Sequence, residues 1–146
     1  MNNDQSRDEM ELKSGISAFE TKSFATATKI LSRLAEDGEP EAQYRMAIMA
    51  QNGLGMVANP LMAYRYMKAA AESGLSLAQH GLGFMYMEGE CVDANPQKAI
   101  EWFHRAADQG LVGSMATIAM MYQEGRGVEP DPDLAKEWYK KAGFDM

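Results

Sequence analysis

From residue 41 onward, apolar and small residues fall at helical spacing in segments that recur every 36 residues. AQYRMAIMAQNG, AQHGLGFMYMEG and SMATIAMMYQEG, ending at Gly53, Gly89 and Gly125, are the same element written three times. Ala42, Met46, Ala47 and Ala50 share one face of the first, and each terminal glycine suits a helix C-cap. These segments predict helix A of a repeating hairpin. After a short loop come Asn59-Pro60, Asn95-Pro96 and Asp131-Pro132. A side-chain oxygen there can accept the free amides of a helix start, and proline fits the first helical position. Helix B follows, with Ala63, Tyr66, Met67 and Ala70 on one face in the first full unit, and it closes at Gly74 or Gly110.

The 36-residue register holds across both helices. Ala63, Ala99 and Ala135 align, as do Ala70, Ala106 and Ala142; Tyr66, Trp102 and Trp138; and Met67, Phe103 and Tyr139. Met49, Met85 and Met121 form a further column, expected to fill the core between helices. Upstream, Gly15 and Ala18 belong to a shorter helix A. Ser23 is the expected cap of a helix B carrying Phe24, Ala27, Leu31 and Leu34 and closing at Gly38. Residues 1–12 are polar and are expected to form an arm or a frayed helix start. The organisation predicted is an arm over 1–12, a short unit over 13–40, and full units over 41–76, 77–112 and 113–146. No segment alternates like a strand, so the fold class is all-α.

These columns spell A-x-x-x-L-G-x-x-Y-x-x-G-x-G-V, then N/D-P, then A-x-x-W-x-x-x-A-A-x-x-G. The pattern resembles the Sel1-like branch of the tetratricopeptide superfamily. Ala78, Leu82, Gly83, Tyr86, Gly89, Val92, Ala99, Trp102, Ala106, Ala107 and Gly110 carry it most fully. Two departures stand out. Ala47 and Ala50 occupy positions where the pattern prefers Gly and Tyr, and Cys91 replaces the loop glycine found at Gly55 and Gly127. If those glycines adopt positive φ, Cys91 is strained by about a kcal/mol.

The resemblance implies a right-handed α-α superhelix of about four antiparallel hairpins, with helix A of each lining a concave groove. It further implies an adaptor that holds a peptide or protein surface. In such hairpins the residue after the Leu-Gly pair faces the groove, which here selects Ile48, Phe84 and Met120. One turn earlier lie Tyr44 and His80; one turn later, Gln51, Met87 and Gln123. An apolar row with a polar and aromatic rim supplies binding energy and orientation together. The alternative function is a binder of small molecules or peptidoglycan fragments with at most weak hydrolytic activity. Relatives of that kind are cysteine-rich, whereas this chain has one cysteine.

Charge and chemistry narrow the picture further. A net charge of −7 with scattered Lys and Arg argues against nucleic acid. No catalytic residue, metal site or cofactor is expected. His80 and His104 lack a second His or Cys at helical spacing. Cys91 has acidic neighbours that disfavour a thiolate, and no Ser-x-x-Lys run occurs. Nothing approaches the ~18 apolar residues of a membrane span, and no apolar run follows a basic start near residue 1. The expected location is the cytoplasm, or the periplasm for a chain whose signal peptide has been removed. A final expectation is weak self-association through the C-terminal unit, where helix B near Trp138 and Tyr139 lacks a following repeat.

Overall fold

A computed structural model describes residues 3–144 and divides the chain into two compact units, Met1–Ser73 and Gly74–Met146. Among the described residues there are eight α-helices and no strand. Unit 1 contains α1 (Asn3–Glu20), α2 (Phe24–Glu36), α3 (Pro40–Asn52) and α4 (Pro60–Glu72). Unit 2 contains α5 (Ser76–Glu88), α6 (Pro96–Asp108), α7 (Val112–Glu124) and α8 (Pro132–Lys141). Within each unit consecutive helices pack on one another, so α3–α4, α5–α6 and α7–α8 are the hairpins predicted from the register, and α1–α2 is the upstream one.

The helix starts follow from local chemistry. Oδ1 of Asn59, Asn95 and Asp131 accepts from the backbone N–H of Met62, Lys98 and Leu134, each at 3.1 Å, with proline at the first helical position. Ser23 differs. It holds the cap position of α2 but makes no side-chain cap bond; its hydroxyl instead lies 3.4 Å from that of Thr21. The connection before α2 is a tight turn with Lys22 at φ 63°, which leaves Ser23 in a backbone geometry that turns its oxygen away from the helix amides.

Residues 3–12, expected as an arm, are the first half of α1; residues 1 and 2 lie outside the described part. Charge explains the order. Arg33 on α2 reaches Asp8 at 2.6 Å and Glu11 at 2.7 Å, while Arg7 bonds Glu11 one turn along α1 at 3.0 Å. Hydrogen bonds from Arg33 and then Arg7 hold the Glu11 carboxyl below the ordinary carboxylate range. At Gly15 an added Cβ would sit 2.3 Å from Leu31 Cδ2, so α1 and α2 approach closely there.

The core is built from small residues with methionine between them. Ala27, Ala35, Ala42, Ala47, Ala50, Ala63, Ala70, Ala78, Ala99, Ala106 and Ala119 are fully buried. The Met49, Met85 and Met121 column is buried as well, as expected of core filler. Each loop closes on its own helix A through the backbone: Asn59 N–H donates to Ala50 O at 2.8 Å, Asn95 to Tyr86 O at 2.7 Å, and Asp131 to Tyr122 O at 2.9 Å.

The second loop position is left-handed in all three full repeats, with φ 68° at Gly55, 65° at Cys91 and 71° at Gly127. At two of them glycine is needed twice over. A Cβ on Gly55 would lie 2.5 Å from Phe24 O, and one on Gly127 would lie 2.7 Å from Pro96 O, at the start of the preceding helix B in the same unit. Cys91 keeps the same backbone with a side chain attached. Its thiol pKa is pushed up by burial and then by Glu90, which makes it a poor nucleophile. Cys91→Gly is therefore expected to raise stability by about 1 kcal/mol, relief of left-handed strain outweighing the added unfolded-chain entropy. The urea midpoint measures it; a clear fall would show that the loop does not favour glycine at this position.

Candidate functional site

The helix A faces of the two units differ in character. In unit 1 the face belongs to α3, where Tyr44, Ile48 and Gln51 are all half-buried. Arg45 pairs with Glu41 one turn back, donates to the Glu41 carbonyl at 3.1 Å, and lies 5.6 Å from the Tyr44 ring centre. Burial raises the Tyr44 phenol above its usual value; Arg45 opposes this to a smaller extent and Glu41 adds to it. This face is polar and internally paired.

Unit 2 presents a different surface. Phe84 is 37% exposed on α5, with Leu77 two turns earlier at 44% and Val112 at the start of α7 at 51%. His80 and Met120 are half-buried and Gln123 is exposed. Beneath them, the rings of His80, Phe84 and Phe103 form a T-shaped cluster with centroids 4.9, 5.3 and 5.2 Å apart. Gly83 makes this possible. A Cβ there would lie 2.7–2.9 Å from the Phe103 ring, so the Leu82-Gly83 pair admits an aromatic side chain from α6 directly against α5.

His80 Nδ1 and Ser114 Oγ are 2.7 Å apart, linking α5 to α7. Such a pair invites comparison with a nucleophile and its base, but Ser114 is wholly buried, which closes its hydroxyl to a substrate. It serves as a polar pin between helices. Burial holds the His80 imidazole below its ordinary pKa of 6.5, so the ring is neutral at pH 7. Among the described residues no group of three or more His, Cys, Asp or Glu side chains is placed to hold a metal ion. No described helix is long and apolar enough to cross a membrane.

The residues selected from sequence thus separate. Met87 is 4% exposed and belongs to the core, while its main-chain oxygen accepts from Arg126 at 3.2 Å. Gln123 Oε1 accepts from Tyr139 O–H of α8 at 3.0 Å, so this amide is directed at its own hairpin. Phe84, Met120 and His80 share the α5–α7 side of unit 2, whereas Tyr44, Ile48 and Gln51 stand on unit 1. Leu77 and Val112 were not selected. They sit at the helix starts, outside the column that the Leu-Gly pair marks, and only their exposure reveals them.

Two other features lie away from these faces. A surface cleft of ≈ 770 Å³ between α1 and α2 is lined by Met10 and Ile30 with Arg7, Lys29 and Arg33 at its rim. Its two arginines are already engaged by Asp8, Glu11 and Asp37. On α6 and α8, Arg105 stacks over Trp102 at 4.3 Å and Lys141 over Trp138 at 4.2 Å, so these aromatic faces are capped by cations of their own helix. Tyr139 and the exposed Phe144 contact each other edge-on at 5.9 Å.

The Sel1 repeat family model matches residues 40–75, 76–111 and 113–143. The chain belongs to the Sel1 repeat family. Its fold is similar to that of a Sel1 repeat protein from Oxalobacter formigenes, with TM-score 0.84 and 27% identity over 91% of this chain and 53% of that one. It is also similar to a protective antigen present in uropathogenic Escherichia coli strains displaying an SLR fold, with TM-score 0.88 and 28% identity over 96% of this chain and 31% of that one. The chain thus spans about half of one relative and a third of the other. A comparison with curated proteins returns no match. The helical-hairpin repeat class and the number of hairpins agree with the reading of the sequence.

Two outcomes test this site. Gly83→Ala places a methyl group against the Phe103 ring and is expected to cost about 1–3 kcal/mol in a urea titration; unchanged stability would mean that the ring does not depend on the gap. The second concerns pH. Burial depresses both imidazoles; at His104 Lys141 adds to the effect and Asp108 opposes it. The folded state therefore binds fewer protons than the unfolded chain near pH 6. Stability present above pH 6.5 is lost as pH falls through the folded values. The melting temperature should drop from pH 7 to pH 5, and less so in a His80→Gln, His104→Gln double variant; equal drops would assign the loss to other groups.

Proposed function

We propose that this chain is a protein-interaction module that holds a peptide or protein surface on its helix A faces, with the α5–α7 face of unit 2 as the principal contact. Sel1 repeat proteins generally act in protein–protein interaction, and the family membership supports that class of function here. The observation that carries the reading is Phe84. It is an aromatic side chain more than a third exposed on a packed helix and backed by two further rings, with exposed Leu77 two turns earlier on α5 and exposed Val112 at the start of α7. An aromatic anchor held rigid by packed rings is what concentrates binding energy in a small area. The chain's role on this reading is that of a scaffold, with no reaction of its own.

Phe84→Glu tests it. Loss of two edge-to-face ring contacts costs about 1–2 kcal/mol, so the variant should keep its helical circular dichroism and melt only a few degrees lower. Capture of a stoichiometric protein from the source lysate, seen with the parent chain and quantified by mass spectrometry, should disappear. Retained capture by a folded Phe84→Glu chain would move the site elsewhere. No captured protein, together with a rise in melting temperature on adding muropeptides, would favour a glycan-fragment binder instead.

A further inference from the structure

Charge is distributed over unit 2 in a way that the binding reading does not use. From Gly74 to Met87 and from Gly110 to Gln123 there is no Asp, Glu, Lys or Arg, so α5 and α7 are uncharged along their length until the last residue of each, Glu88 and Glu124. The loops that follow are the reverse. Residues 88–98 and 124–133 hold seven carboxylates against only Lys98 and Arg126, a net −5 out of the chain's −7.

Few of these charges are neutralised internally. Lys98 lies over the Tyr86 ring at 5.5 Å, and Arg126 approaches Glu88 at 3.7 Å with both side chains well exposed, a pairing of small energy in water. Asp131 is occupied in capping α8. Glu124, Glu129, Asp93 and Asp133 are all exposed. Arg126, two residues past the end of α7, reaches the Met87 carbonyl and Glu88 at the end of α5, so the C-terminal ends of the two helices meet at this edge and add their negative partial charges. Each apolar anchor, Phe84 or Met120, thus stands one helical turn from a glutamate at the rim, about 6 Å along the axis. The uncharged face ends in a negative edge.

Resting on the binding reading above, we infer that the α5–α7 face of unit 2 selects a basic peptide segment: an apolar side chain seated on Phe84 and Met120, with Lys or Arg within a few residues directed to the loop edge. The apolar contact supplies affinity, and the polarised surface sets both the sign of the partner and its direction across the helices. An acidic or uncharged flank is disfavoured at the same place, because it would meet the carboxylates unpaired.

The experiment is a random twelve-residue peptide display library selected on the full chain at low salt, with the Phe84→Glu chain as counter-selection. Peptides that depend on Phe84 should combine Leu, Ile, Phe, Met or Trp with Lys or Arg within about four positions. A synthetic copy of the leading peptide should bind about tenfold more weakly to a Glu124→Lys, Glu129→Lys chain, and weaken as salt is raised. Both substitutions are on exposed side chains, and circular dichroism checks the fold. Phe84-dependent peptides with neutral or acidic flanks would overturn the basic preference while leaving the binding face intact. Basic peptides indifferent to the two lysine substitutions would overturn it too. A library yielding no Phe84-dependent peptide would overturn both this inference and the reading on which it rests.

Discussion

The fit between a missing side chain on α5 and a large one on α6 is the constraint on which the exposed aromatic surface of unit 2 depends. Gly83 has no Cβ, so the Phe103 ring lies against the α5 backbone, and Phe103 in turn supports Phe84 and His80 from below. Without that support Phe84 would be a loose surface ring rather than an oriented anchor. The same columns hold Ala47 and Met67 in unit 1 and Ala119 and Tyr139 in the last hairpin, so among the described residues the three-ring cluster belongs to the 77–112 repeat. A core made largely of buried alanine needs this arrangement, since small residues let helices approach but give them little to grip.

The polar elements have separate duties. Asn59, Asn95 and Asp131 start the B helices, the His80–Ser114 contact pins α5 to α7, and the Arg33 cluster orders the first turns of α1. Each of these groups is held by a partner on its own helix or on a neighbouring one. The surface proposed for recognition uses none of them: it is the uncharged helix surface of unit 2 and the negative edge that borders it.

The 36-residue register made the hairpins, their caps and the buried methionine column legible, because each depends on local chemistry repeated three times. The left-handed loop at Cys91 was legible by alignment with Gly55 and Gly127. Local chemistry failed where a distant charge intervened: residues 3–12 look like a polar arm until Arg33, more than twenty residues away, pairs with them. It failed again at Ser23, where a turn residue at positive φ redirects the cap. For the site, Phe84 could be picked out by its place after Leu82-Gly83. Met87 could not be told from a rim residue, because the aligned Gln51 and Gln123 suggested polarity and only its burial places it in the core. The Ser114 partner of His80 lies in another hairpin, beyond the reach of spacing arguments.

The loops are closed by main-chain bonds, Asn59 to Ala50, Asn95 to Tyr86 and Asp131 to Tyr122, and a main-chain bond is indifferent to most side chains. Residues such as Leu54, Glu90 and Arg126, or Val57, Asp93 and Glu129, therefore occupy equivalent positions with little in common. Selection can rewrite them one at a time without renegotiating the fold. A repeat protein built this way separates inheritance of shape from inheritance of specificity: descendants of one hairpin can diverge in what their edges attract while their helices stay recognisably the same.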